Sequence, residues 1–409
     1  MGTAAPSTGS GQALGCPPKP GRVILGCRKP GSLSSESISI RLSRMLLNLT
    51  ILPGDGIGPE VTEQAVLVLR AVSNKFGHEL RLQQMNIGGA ALAAVEDPLP
   101  PDTLQACLSS SAVLMGAVGN PAFDHYPNHL RPEAGLLRLR RELGAYANLR
   151  PAICFPALED SSPLRTDLVR GADIMIVREL LGGLYFGEPR SIVGNPGSRV
   201  ATNTMTYDEP AIDRIARVAF DLAMKRRRKV LSVDKANVLE CSRLWREIVL
   251  RCAKDYPDVK LSHMYVDSAA MSLVQRPKDF DVVLTENMFG DILSDQAGGV
   301  VGSLGLLASA SIGGPVGLYE PVHGSAPDIA GKGIANPLGA ILSTALLLRH
   351  SFQLEREAAC IENAVSSVLN EGFRTADLVR SGQSSIHTSE MGSRVVEALK
   401  TSDGKQKSA

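Results

Sequence analysis

Glu286-Asn287-Met288-Phe289-Gly290-Asp291-Ile292-Leu293-Ser294-Asp295-Gln296 marks the point where a strand gives way to a helix. Ahead of it, Phe280-Asp281-Val282-Val283-Leu284-Thr285 is short and mostly apolar, the pattern of a strand ending near Glu286. After it, Ile292, Leu293 and the small residues that follow predict a helix. Asp291 and Asp295 then stand one turn apart on one face, their Cβ atoms about 5–6 Å from each other. Two carboxylates so placed repel unless a positive charge lies between them. A hard divalent cation that keeps several waters, Mg²⁺ or Mn²⁺, suits a set of a few oxygen ligands. On this stretch alone, acids that merely complement a helix dipole would explain the pair at least as well.

The rest of the chain bounds the answer. Its 409 residues can bury one large core or two domains of ordinary size. Hydrophobic residues make up 44% and charged residues 21%, as in a soluble globular protein, and a net charge of +1 offers no field for nucleic acid or an anionic membrane. The seven cysteines form no CxxC pair and no regular spacing, which signals neither a zinc site nor a disulfide framework. The uncharged run from Gln296 to Tyr319 is long enough to span a bilayer, but glycines, serines and Pro315 interrupt it. It reads as buried helix and loop. Residues 1–45 are rich in Ser, Gly and Pro and carry six Lys or Arg against a single acid, Glu36. That composition cannot build a core and predicts an organellar transit peptide, plastid rather than mitochondrial because no Arg-rich amphipathic helix precedes residue 40. A disordered leader, or a true start at Met45, is the alternative, with the mitochondrion or cytoplasm as the compartment.

In chain order, Leu47 to Pro53 predicts a strand, and Gly54-Asp55-Gly56-Ile57-Gly58-Pro59-Glu60 a tight turn into a helix reaching about Phe76. Pro59 stands at the third glycine of GxGxxG, so this is not a Rossmann dinucleotide fingerprint. Ala112 to Val118 predicts a buried strand. His125 and His129 have Pro127 between them and read as loop residues rather than metal ligands. Leu136, Leu139 and Leu143 follow helical spacing; Arg140 and Arg150 flank the turn that follows, and Arg178 ends the apolar strand Ile174 to Glu179. Three arginines beside a metal site would hold a dicarboxylate bidentately, which lysines could not imitate. Tyr185, in the glycine-rich turn after Arg178, is a candidate proton donor. A helix is expected from Pro210 to Lys229, its terminal basic run complementing the helix dipole. Lys235 ends a further strand, where a neighbouring cation could lower its pKa enough for a general base, and Asp267 after Leu261–Val266 adds a third carboxylate. Strands alternating with helices, polar at the strand ends, predict a mostly parallel α/β sheet.

LPGDGIGPE (52–60), LRPEAGLLRLRRELGAYANLRP (130–151), MIVRELLGGLYFGEPR (175–190), VDKANVL (233–239), MYVDSAAM (264–271), ENMFGDILSDQAG (286–298) and EPVHGSAPDIAGKGIANP (320–337) resemble the β-decarboxylating dehydrogenases. This is the isocitrate/isopropylmalate dehydrogenase family, and the likeness runs from about residue 46 to 400. Within it, Glu133 and the pair Leu136-Leu137 ahead of Arg140 suit an isopropyl group, where isocitrate enzymes use small polar residues; homoisocitrate, tartrate and methylthioalkylmalate enzymes are the alternatives.

The resemblance implies a two-domain fold. Residues 46–145 with 302–400 would form the cofactor domain, 146–301 the dimerisation and metal/substrate domain, and 401–409 a tail. It implies that Arg140, Arg150 and Arg178 bind the malate carboxylates beside Leu136 and Leu137. Asp267, Asp291 and Asp295 would bind Mg²⁺ or Mn²⁺ at the substrate, with Lys235 and Tyr185 catalytic. The NAD site would draw on Asn120, Glu133, Glu320, His323, Gly324, Ser325, Ala326, Pro327, Asp328, Ile329 and Asn336. Lys235 and Asp267 would come from the other subunit of a homodimer. Three positions depart from the family pattern: Asn120 stands where glycine is usual, Ser191 follows Arg190 where glycine is common, and Leu307-Ala308 replaces Leu-Pro. A non-catalytic regulatory subunit is the other class of reading, but such subunits usually lose a member of the Asp, Arg, Tyr and Lys set, which is complete here.

Overall fold

The computed structural model describes residues 44–380 and 382–401. Nearly all of the leader and the tail beyond Thr401 lie outside the described residues, and with them the transit-peptide reading.

The chain opens with β1 (Leu46–Gly54), α1 (Gly58–Phe76), β2 (Glu79–Gln84), α2 (Gly89–Val95), α3 (Pro101–Ser109), β3 (Ala112–Ala117) and α4 (Pro132–Glu142). Next come β4 (Ala147–Ile153), α5 (Thr166–Val169), β5 (Asp173–Glu179), β6 (Ser191–Val193), β7 (Val200–Thr202), α6 (Glu209–Met224), β8 (Lys229–Asp234) and α7 (Glu240–Cys252). They are followed by β9 (Lys260–Tyr265), α8 (Val266–Gln275), β10 (Val282–Thr285), α9 (Asn287–Val301), β11 (Ala308–Ile312) and β12 (Gly317–Pro321). Three helices close the described chain: α10 (Leu338–Phe352), α11 (Glu355–Asn370) and α12 (Thr388–Thr401).

Ten strands form one sheet in the order β2-β1-β3-β12-β11-β4-β5-β10-β8-β9, and β6 pairs with β7 in a separate hairpin. Six neighbouring pairs in the large sheet are parallel and three, around β11 and β4, are antiparallel. The sheet is mixed and mostly parallel, as expected. Its first five strands come from residues 46–117 and 308–321, its last five from 147–285. Helices α1, α10, α11 and α12 pack together over one cluster of apolar side chains. Helix α10 is buried nearly all round up to Leu348, which fits its mostly apolar sequence there.

Two expectations change. The uncharged run 296–319 is not helix and loop alone, because β11 and most of β12 lie in it, joined through Gly313 and Gly314. The alternation of small and apolar residues there is a strand signal that the many glycines obscure. No described helix is long and apolar enough to cross a membrane. Helix α6 stops at Met224, short of the basic run. Arg226 and Arg227 instead bond Asp281 and the carbonyl oxygen of Asp173, tying the helix exit to β5 and β10.

The β10–α9 junction is built locally. Glu286 caps α9 by accepting hydrogen bonds from the backbone N–H groups of Met288 and Phe289, at 3.1 and 2.7 Å. A Cβ on Gly290 would come within 2.6 Å of the Arg178 side chain, so glycine there makes room for the arginine. In the β1–α1 turn, Gly56 has φ +56°, and a Cβ on it would strike the Ser325 carbonyl oxygen. That close approach, with the Ile57 N–H donating to the same oxygen at 2.8 Å, fixes the 324–328 loop against the first turn of the chain.

Candidate active site

Asp291 is the hub. Its Oδ1 accepts from Arg178 Nη1 at 2.6 Å and Arg150 Nη1 at 3.2 Å, and its Oδ2 from the Tyr185 hydroxyl at 2.9 Å. Arg150 Nη1 also reaches Asp295 Oδ1 at 3.4 Å and Ser294 Oγ at 2.6 Å, while its Nε donates to Asn148 at 2.8 Å. Arg140 donates from Nη2 to Glu320 at 2.7 Å. The three arginines are 8, 6 and 1% exposed for Arg140, Arg150 and Arg178. Guanidinium groups so buried are sustained only by paired charge and full hydrogen bonding. Arg140 falls short of the second condition, because its Nε is buried without a partner.

Electrostatics set the two aspartates apart. Burial pushes the Asp291 carboxyl up, but Arg178 and Arg150 outweigh it and hold the group below its usual value. Asp295 is raised by burial, with Arg150 offsetting only part. Burial and the neighbouring Asp291 push the Tyr185 hydroxyl up to about 12, so it carries its proton at neutral pH.

The sequence-derived set is brought together only in part. Arg140, Arg150, Arg178, Tyr185, Asp291 and Asp295 converge. Lys235 and Asp267 pair with each other instead, Nζ to Oδ1 at 2.9 Å, with Asp267 well exposed. Among the described residues no group of three or more His, Cys, Asp or Glu side chains is placed to hold a metal ion, so Asp267 does not join Asp291 and Asp295 within one chain.

On α4, Leu136 packs against the core of Leu139 and Leu143, whereas Leu137 is half-buried outside that cluster. Glu133 at the start of α4 and Ser325 both lie against Gly119. Ser325 is buried; Gly324, Pro327 and Asp328 are exposed, Ala326 takes φ +39°, and Ile329 is half-buried. His323 Nδ1 lies 3.0 Å from the Gly324 carbonyl oxygen, and its buried Nε2 has no partner. Asn336 is occupied by the fold, donating to Asp377 at 3.0 Å and accepting from the Leu338 N–H at 3.0 Å. Asn120 has φ −143°, which any residue adopts, and accepts from the Ala122 N–H, so the departure from glycine costs no strain. Ala308 opens β11 without disturbing it.

Sequence reasoning missed Glu286, Asn287 and Tyr207. The Tyr207 hydroxyl donates to Glu286 Oε2 at 3.1 Å and accepts from the Asn287 N–H at 3.0 Å. The only signal was two polar residues at the end of an apolar strand.

Residues 48–395 match the family model described as isocitrate/isopropylmalate dehydrogenase. The 3-isopropylmalate dehydrogenase of Aquifex aeolicus is 53% identical over 86% of this chain and 96% of its own length. That of Priestia megaterium is 57% identical over 82% and 91%. The crystal structure of isocitrate dehydrogenase from Methylococcus capsulatus superposes with a TM-score of 0.77 at 36% identity, covering 88% of this chain and 100% of that one. By its fold and by these likenesses, the chain belongs to the isocitrate/isopropylmalate dehydrogenase family.

Proposed function

We propose that this chain converts (2R,3S)-3-isopropylmalate to 4-methyl-2-oxopentanoate and CO₂ while reducing NAD⁺, in leucine biosynthesis. The observation that carries the reading is the buried arginine cluster, Arg150 and Arg178 on Asp291 and Arg140 on Glu320, with Arg140 Nε unpaired. An unpaired buried guanidinium N–H costs about 1–3 kcal/mol, which a substrate carboxylate would recover. The relatives named 3-isopropylmalate dehydrogenase support the choice of malate.

The residues present fit the groups that the family implies. Asp291 and Asp295 offer hard oxygen donors one turn apart, Asp295 half-exposed, and suit Mg²⁺ or Mn²⁺. The unpaired His323 Nε2 and the 324–328 loop, seated on the turn at Gly56, suit NAD⁺. When bound, the metal would supply Lewis acidity at the C2 oxygen and the nicotinamide would accept the hydride. The chain's own groups do the rest. The arginines orient the malate carboxylates, and Leu136 and Leu137 line its isopropyl tail. Lys235 takes the hydroxyl proton, directly or through water. Tyr185, held protonated, gives its proton to the carbon that loses CO₂.

The separation of the Lys235–Asp267 pair from the Asp291 knot supports a homodimer in which the partner subunit's Lys235 and the partner subunit's Asp267 complete each site. Exposed apolar residues support it too: Met271 and Val274 on α8, Ile292 on α9, and Ile192, Val193 and Val200 on the β6–β7 hairpin. The strand order supports a cofactor domain of 46–145 with 302–400 and a second domain of 146–301. The composition of residues 1–45 supports import into the plastid stroma.

Steady-state rates of the recombinant protein on isopropylmalate, isocitrate and tartrate test the assignment. Isopropylmalate should lead in kcat/KM by on the order of 100-fold. An equal or better rate on either competitor overturns it.

A further inference from the structure

Asn287 is the first residue of α9 and has no exposed surface. Its side-chain oxygen accepts from Arg178 Nε at 3.1 Å and Nη2 at 2.7 Å. Its amide nitrogen donates to the carbonyl oxygens of Leu180 and Gly182, each at 3.0 Å. Two lone pairs and two hydrogens are therefore all used, the full capacity of the group.

The two sides of this amide face different parts of the site. The oxygen takes one edge of the Arg178 guanidinium, which leaves Nη1 for Asp291. The nitrogen holds the loop from the end of β5 to Gly182, just ahead of the turn that carries Tyr185. A leucine of similar size would leave both the guanidinium edge and the Leu180 and Gly182 carbonyl groups without this partner. A carboxylate would keep the arginine contact but set oxygen against the two carbonyls, and its charge would compete with Asp291 and any bound anion for Arg178. Only a neutral amide serves both partners and leaves the arginine's charge to the site.

We propose that Asn287 is a positioning residue that fixes Arg178 and the Tyr185 turn in one register, so that the carboxylate clamp and the proton donor are aligned by a single amide. The assignment rests on the isopropylmalate reading above.

The test is steady-state kinetics of the full chain carrying Asn287→Ala, alone and combined with Arg178→Lys. Lysine lacks the Nε/Nη2 edge that Asn287 holds. KM for isopropylmalate should rise on the order of 10- to 100-fold and kcat should fall, while KM for NAD⁺ stays within about twofold. In the Arg178→Lys background, Asn287→Ala should change KM for isopropylmalate by less than about threefold. An unchanged KM for isopropylmalate, an equal rise for NAD⁺, or additive rises in KM for isopropylmalate in the double variant overturns the assignment. Should Asn287→Ala fail to fold, the isosteric Asn287→Asp carries the same KM comparison; failure of both to fold makes Asn287 a purely structural residue and also overturns it. The unsubstituted chain is run alongside. Its failure to turn over isopropylmalate sinks the functional reading and this assignment with it, whereas normal turnover with an unaffected variant sinks the assignment alone.

Discussion

A site shared between two copies of this chain makes a quantitative demand that mixing two inactive variants can meet. Asp295→Asn and Lys235→Met each remove one group of the proposed machinery. Both positions are forgiving: Asp295 is half-exposed with one long contact to Arg150, and Lys235 has the exposed Asp267 as its ion-pair partner. Loss of such contacts costs about 0–1 kcal/mol, so both variants should fold. Each homodimer should be inactive. In a heterodimer made by co-expression with two affinity tags, one site would combine both substitutions and the other neither, by two-fold symmetry. The purified heterodimer should therefore recover about half the activity of the unsubstituted dimer. Were Lys235 and Asp295 to serve the same chain's site, both sites would be dead and nothing would be recovered. A heterodimer as inactive as its parents, or a Lys235→Met homodimer with normal turnover, refutes the reasoning.

Leu137→Ser should lower kcat/KM for isopropylmalate by roughly 5- to 30-fold, a loss of about 1–2 kcal/mol from part of a three-carbon tail, and leave plain malate little changed; equal losses on both would assign Leu137 to the fold. NAD⁺ should be preferred over NADP⁺ because the exposed Asp328 carboxylate, in its proposed role, would repel a 2′-phosphate. Asp328→Asn should narrow the ratio of the two kcat/KM values, and equal values in the unsubstituted enzyme would exclude the role. Burial and then Arg349 lower the His350 imidazole to about 4. The unfolded chain takes up that proton near pH 6.5 and the folded one only near 4, so stability should fall as pH drops through this window, by at most about 3 kcal/mol. Calorimetric Tm values between about pH 7 and 4 should show a shallower decline in His350→Gln than in the unsubstituted protein; matching declines would remove His350 as a cause.

Much of the candidate site's geometry was legible because its elements are local. The apolar run Val282–Thr285 followed by small and apolar residues gives the β10–α9 junction, and helical spacing places Asp291 one turn from Asp295. Arg178 at a strand end and Tyr185 in a glycine-rich turn were readable for the same reason. What escaped was anything set by distant pairing. That Arg178 needs Asn287, or that Arg226 and Arg227 serve Asp281 rather than a helix end, depends on β5 and β10 being neighbours, which no spacing within either segment encodes. The 296–319 run failed on the other side of the same limit. Its residues suit a helix end or a strand, and only pairing of β11 with β4 and β12 decides between them.

The charges at the site explain why so many polar groups can be buried there. Three guanidinium groups pair with three carboxylates, those of Asp291, Asp295 and Glu320, so these paired charges balance as they stand. A dianionic malate entering alone would leave the cluster negative, and a divalent cation alone would leave it positive, each at low dielectric where imbalance is expensive. Entering together they keep the balance. The two aspartates already differ in the way this joint entry requires. Asp291 is the counter-ion of Arg178 and Arg150 and is held ionised by them, whereas Asp295 is raised by burial and only loosely matched. Asp295 is thus the carboxylate with most to gain from a cation. The Lys235–Asp267 pair, itself neutral, can be brought up by a second subunit without disturbing the sum.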